Sequence, residues 1–194
     1  MCNLMECIEK YEADNGIKIN YSWKGKDEGD VNDLFSDWNR KLNSAIENNN
    51  LTELTDTINA ILRWGGINRL KKERLKHYIC KIQKISEGDE IDSQTLLSSW
   101  TKILAAYNPK KYFIYDSRVA IALKFLIREY DWFIPKRRND TVGSYLRNNY
   151  QEKLTESQSY QKYLTLLFNV EECKRGICEK KLFMIGGTLT VDKF

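Results

Sequence analysis

Apolar side chains return every three or four positions along almost the whole chain, and only two prolines interrupt them in 194 residues. That spacing gathers apolar groups on one side of an α-helix, whereas a half-buried strand needs alternation at every second residue. Val31, Leu34, Phe35, Trp38, Leu42, Ala45 and Ile46 form one such stripe, with Asp30 placed to cap its start. After three asparagines at 48–50, Leu51, Leu54, Ile58, Ile61 and Leu62 form a second. Gly65 and Gly66 close it, as residues suited to positive φ. Leu75, Tyr78, Ile79, Ile82 and Ile85 predict a third helix from about Arg69 to Ser86. Leu96, Trp100, Ile103, Leu104 and Tyr107 predict a fourth, capped by Asp92 or Ser93. It stops at Asn108-Pro109, because a residue ahead of proline is driven out of the helical region.

A short extended piece, residues 110–115, leads to Asp116 as N-cap of a fifth helix bearing Val119, Leu123, Leu126, Ile127 and Tyr130. A break at Pro135 with a basic loop at 136–138 comes next. Two or three more helices run from about Val142, the last ending near Gly186 and Gly187. The expected fold is all-α: one helical domain over residues 1–194, an array of about seven to nine helices without internal repeats.

A composition 42% hydrophobic and 12% aromatic supplies a core and argues against disorder. No apolar run approaches the roughly 20 residues of a membrane helix. The first residues carry Glu6, Glu9 and Glu12 instead of a secretory signal's basic start, so a cytoplasmic protein is expected, away from any membrane. Five scattered cysteines read as free, ordinarily buried thiols, and the lone His77 completes no metal site. No cofactor is implied. There is no GxxxxGK[ST], GxGxxG, GxSxG or HExxH, which removes the commonest phosphate-cradling, triad and zinc-protease chemistries.

Charge is distributed unevenly. Residues 1–68 hold 7 basic and 12 acidic side chains, residues 69–147 hold 17 and 9, and residues 148–194 hold 7 and 6. The third helix alone carries Arg69, Lys71, Lys72, Arg74, Lys76, Lys81 and Lys84 against Glu73. A concentration of this kind suits a polyanion, though a lysine-rich solvated face would look the same. On the fourth helix, Lys102 falls opposite the apolar stripe, beside Ser98 and Ala105, whose small size would leave its amine open. Taken alone, Lys102 reads as a solvated helix lysine and Asp116 as a helix cap.

The stretch SWTKILAAYNPKKYFIYDSRVAIAL, with Trp64-Gly65-Gly66 upstream, resembles the catalytic region of helix-hairpin-helix DNA glycosylases, in their 8-oxoguanine glycosylase-like branch. The specific likeness spans about residues 97–123, within a glycosylase-like region of about 64–130. The resemblance implies that Lys102 is the nucleophilic lysine and Asp116 the catalytic aspartate of a glycosylase and lyase acting on damaged duplex DNA as a monomer. A damaged base would be flipped from the stack. Lys102 would attack the sugar C1′ as a neutral amine, and Asp116 would stabilise charge growing on the sugar.

On this reading Arg69, Lys71, Lys72, Arg74, Lys110, Lys111, Arg118, Lys136, Arg137 and Arg138 would hold phosphates. Trp64, Trp100, Tyr112 or Phe113 would stack on the extruded base, unless their helical spacing makes them core. The family's Leu-Pro-Gly-x-Gly hairpin is replaced here by Leu97-Ser98-Ser99-Trp100, and Lys102 and Asp116 stand 14 positions apart, a shorter interval than is usual. The alternative expectation is a helical nucleic-acid-binding module without catalysis, and a third is a partner-binding protein with a merely lysine-rich middle.

Overall fold

The computed structural model describes residues 4–68, 70–88, 97–129 and 156–191. Eight helices and no strand occur among them: α1 (Leu4–Asp14), α2 (Glu28–Glu47), α3 (Leu51–Trp64), α4 (Lys72–Ser86), α5 (Leu97–Tyr107), α6 (Ser117–Glu129), α7 (Glu156–Phe168) and α8 (Glu172–Val191). The protein is all-α, as the periodicity requires. The chain divides into two compact units, Lys26–Ile114 and Met1–Gly25 together with Tyr115–Phe194. The expected cap at Asp92 or Ser93, Leu96, Tyr130, the basic loop at 136–138 and the helical start near Val142 lie outside the described residues.

In the unit Lys26–Ile114, α2 begins one turn earlier than its apolar stripe suggests. Asp27, not Asp30, is the cap. Its Oδ1 accepts from the Asp30 amide at 3.0 Å, while Asp30 Oδ2 accepts from the Asp27 amide at 3.3 Å. Two carboxylates three residues apart satisfy two otherwise orphaned amides at once, so the pair sets the start. Asn50 caps α3 by accepting from the Glu53 amide at 3.1 Å. Gly66 turns the chain away at φ 84, whereas Gly65 keeps φ −70 and needs no left-handed backbone.

Phe35, Trp38 and Trp64 join α2 to α3 edge to face, with ring centroids 5.1–5.8 Å apart. α5 lies against both of these helices. Every side chain from Ser99 to Ala106 is consequently buried. The Asn39 side-chain amide donates to the Tyr107 carbonyl, ending α5 where the Asn-Pro step predicts.

In the other unit α8 packs along α6 and against α1 and α7. The sequence places the end of α8 near Gly186 and Gly187, but the helix runs through both to Val191. A Cβ at Gly186 would stand 1.9 Å from the carbonyl oxygen of Arg118. The glycine is there to let two helix backbones meet. Glu12 on α1 accepts Lys181 Nζ of α8 through both carboxylate oxygens, at 2.8 and 2.6 Å. The same Oε1 takes the Ile19 amide at 2.7 Å, and the pair is largely buried, at 13% and 16% exposure. Cys7 and Cys178 are buried free thiols, as expected, but Cys80 and Cys173 are exposed. No helix among the described residues is long and apolar enough to cross a membrane.

Adding a methyl group at position 186 sets a side chain against backbone that cannot swing aside. Gly186→Ala is expected to destabilise the protein by about 1–3 kcal/mol or more, the usual range for overpacking. Gly187, whose Cβ would meet only the Arg118 guanidinium at 3.9 Å, is the control. Gly187→Ala should be neutral or slightly stabilising, since alanine is the better helix former. Urea denaturation of both variants measures the contrast.

Candidate functional site

The centre of α5 carries Lys102, 6% exposed. The expectation of an amine left open by Ser98 and Ala105 is overturned. α2 and α3 both cover α5, so its small-residue side is interior as well, and Ala105 is buried. The lysine stem lies over the end of α3. A Cβ on Gly65 would come within 2.5 Å of Lys102 Cδ and 2.9 Å of Cε. The Trp-Gly-Gly sequence thus divides its labour: Trp64 packs on α2, Gly65 admits the lysine stem, and Gly66 turns the chain.

Lys102 Nζ donates to the carbonyl oxygen and the hydroxyl of Ser98, each at 3.1 Å. Ser98 is exposed, one turn back toward the start of the helix. The lysine therefore buries its methylenes against the end of α3 and satisfies its nitrogen on Ser98, since a buried cation without hydrogen-bond partners would be costly.

The neighbouring aromatics are packing groups. Trp100, 1% exposed, stacks on Tyr78 at 5.5 Å with 15° between planes, and the Tyr78 and Ser99 hydroxyls share a hydrogen bond. Tyr112 and Phe113 are also buried. These three candidate stacking residues are thus corrected to core: their rings are enclosed by protein, as the helical spacing of Trp100 already suggested. Trp64 is half-buried in its cluster with Phe35 and Trp38.

The cationic residues separate into groups. Lys71, Lys72 and Arg74 are exposed along the start of α4, joined by Lys76, while Tyr78 and Ile82 face inward. Lys110 and Lys111 are exposed just after α5, with Lys111 Nζ 5.2 Å from the Tyr112 ring. All of these share a unit with Lys102. Arg118 is in the other unit, its guanidinium 4.6 Å from the rings of both Trp23 and Phe183. Arg69, Lys136, Arg137 and Arg138 lie outside the described residues.

Asp116 belongs to the unit without Lys102. It caps α6, Oδ1 accepting from the amides of Arg118 at 3.1 Å and Val119 at 3.3 Å, as its position predicts. Next to it, Tyr115 clusters with Tyr160 and Tyr163, ring centroids 5.2–6.3 Å apart. The Tyr163 hydroxyl is buried and finds no hydrogen-bond partner among the described residues. Burial, reinforced by Glu179, Cys178, Tyr160 and Asp116, pushes its phenol well above the ordinary tyrosine value. Neither this cluster nor the Gly65–Lys102 contact was anticipated from sequence. The only signal was the Tyr-x-x-Tyr spacing of α7, which marks one helix face without naming its partner.

Compared with protein-family models, curated proteins and solved structures, the chain matches none.

Two outcomes follow from this packing. Lys102 should react with an amine-directed label more slowly than exposed Lys110 and Lys111, and Gly65→Ala, by displacing the stem, should speed its labelling; peptide mass spectrometry reads both. Tyr163→Phe should be within about 1 kcal/mol of wild type or more stable, because the lost hydroxyl is unpartnered. Its phenol is raised in the folded state, so its contribution is fully present below the unfolded value near 10 and is lost as pH rises beyond it. Denaturation across pH 9–11 should show that loss in wild type and a smaller one in Tyr163→Phe.

Proposed function

We propose that this chain is a DNA base-excision protein of the helix-hairpin-helix glycosylase type, acting on an oxidised purine such as 8-oxoguanine through Lys102 and Asp116. The observation that carries the reading is the placement of Lys102. Its stem is held in a slot that exists only because residue 65 is glycine, and its nitrogen is fixed on the carbonyl and hydroxyl of Ser98, itself an exposed residue. A lysine serving only solubility would extend into water. A nucleophile gains from being held in one geometry before its substrate arrives.

In the proposed reaction, the Lys102 amine forms a bond to the sugar C1′ as the bond from C1′ to the base breaks. The departing base takes the electron pair and a proton. Opening of the sugar ring then leaves an imine between C1′ and Nζ. Asp116 would stabilise the positive charge that develops on the sugar. Lys71, Lys72, Arg74, Lys110 and Lys111 supply a sequence-independent grip on phosphate. With Leu97-Ser98-Ser99-Trp100 where the family's hairpin has Leu-Pro-Gly-x-Gly, that grip falls more heavily on these side chains.

A binding module without catalysis is the second reading. The hydrogen bonds from Lys102 Nζ to Ser98 favour it, since a purely structural lysine would make them too. Borohydride trapping separates the two. Incubated with an 8-oxoguanine duplex, the protein should form a covalent adduct that disappears in Lys102→Gln and diminishes strongly in Asp116→Asn. Salt-sensitive duplex binding without an adduct would leave the module, and the absence of both would overturn the DNA reading.

A further inference from the structure

Residues 17–22 form neither helix nor strand, yet their exposure alternates. Lys18, Asn20, Ser22 and Lys24 are exposed, while Ile19, Tyr21 and Trp23 are half-buried. That is the two-residue period of an extended chain lying on a surface. The surface is α8. Phe183 meets Trp23 edge to face at 5.0 Å and Tyr21 at 6.0 Å. Cations are interleaved with these rings. Arg118 sits 4.6 Å from both Trp23 and Phe183, Lys24 Nζ is 5.6 Å from Trp23, and Lys180 Nζ is 5.9 Å from Tyr21. Left-handed backbone at Lys24 (φ 53) and Gly25 (φ 74) then turns the chain directly after Trp23. No acidic residue occurs from 15 to 26.

We infer that this strip, running from Lys18 to Lys24 along α8, binds unpaired DNA. An outward row of two lysines, an amide and a hydroxyl suits a phosphodiester backbone. Tyr21 and Trp23, half-buried and braced by Phe183, with Arg118 beside Trp23, offer their remaining ring surface to successive bases. Rings alternating with cations take a single strand without regard to sequence, because every base has a face to stack. A duplex hides those faces, so the strip discriminates in favour of the open strand. The choice of DNA over RNA rests on the glycosylase-type reading; the strip itself lies in the unit that does not contain Lys102.

The test uses the full chain and a fluorescein-labelled 20-nucleotide oligo-dT, with oligo-U and a 20-base-pair duplex alongside, read by anisotropy at low and moderate salt. Oligo-dT should bind more tightly than either competitor. Trp23→Leu and the double variant Lys18→Glu/Lys24→Glu should each weaken it about tenfold, the scale of losing one base–aromatic stack. The double variant changes only exposed positions, so with an unchanged melting temperature it decides the matter even if Trp23→Leu fails to fold. Unaltered oligo-dT affinity in that variant overturns the inference. So does a preference for oligo-U or duplex, or control of oligo-dT binding by Lys72→Glu on α4. A wild-type protein that traps duplex adduct through Lys102 but ignores oligo-dT overturns the strip alone. Strip-dependent binding of oligo-dT without any adduct upholds the strip and removes the catalytic reading.

Discussion

Lys102 can lie against the end of α3 only because position 65 has no Cβ. Two methylenes of the lysine occupy the volume a side chain there would claim. With the stem placed, the nitrogen lies within reach of Ser98, and α5 can be enclosed by α2 and α3 without stranding a charge in the interior. Burial of the amine without hydrogen-bond partners would cost several kcal/mol, as it does for an unpaired ion in a poorly solvated site. The functional reading depends on this contact, because it turns a common residue type into a positioned one.

The second unit relies on a related device. At Gly186 the closeness is between α8 and the backbone of α6, and it brings Arg118 to the rings of Trp23 and Phe183. The guanidinium is planar and weakly hydrated, so it stacks on aromatic faces where an ammonium would keep its water. Glu12 and Lys181 tie α1 to α8, and Glu12 also receives the Ile19 amide, anchoring the extended segment at its start. Its end is set by the left-handed pair Lys24 and Gly25. Between those two points the alternation of Lys18 to Lys24 follows from the backbone itself.

Much of the fold was legible in the sequence. The stripes of α2, α3, α4 and α6, the Asn-Pro stop after α5 and the Asp116 cap are local, each decided within a turn or two of chain. The local errors were local too: Asp27 rather than Asp30 begins α2, because a reciprocal carboxylate pair outcompetes a single cap. What failed was inference about environment. A helical wheel gave α5 one buried side, but α5 has neighbours on both, so Lys102 and Ala105 went inside with Trp100. The glycine pairs at 65–66 and 186–187 both suit a helix terminator; the first does end a helix, while Gly186 serves a helix crossing that no local pattern reveals.

By itself, then, the sequence determined that the chain is helical, where α3 starts and stops, where α5 ends and α6 begins, and that positive charge gathers along α4, since propensity, capping and composition act within a few residues. Only the tertiary structure decided which glycines make room for a neighbour, which lysine is held rather than solvated, and that residues 18–24 lie extended on α8 among aromatic rings. Those outcomes depend on contacts between residues far apart in the chain, such as Gly65 with Lys102 and Tyr21 with Phe183, and a packing distance between distant segments leaves no periodic trace in either one.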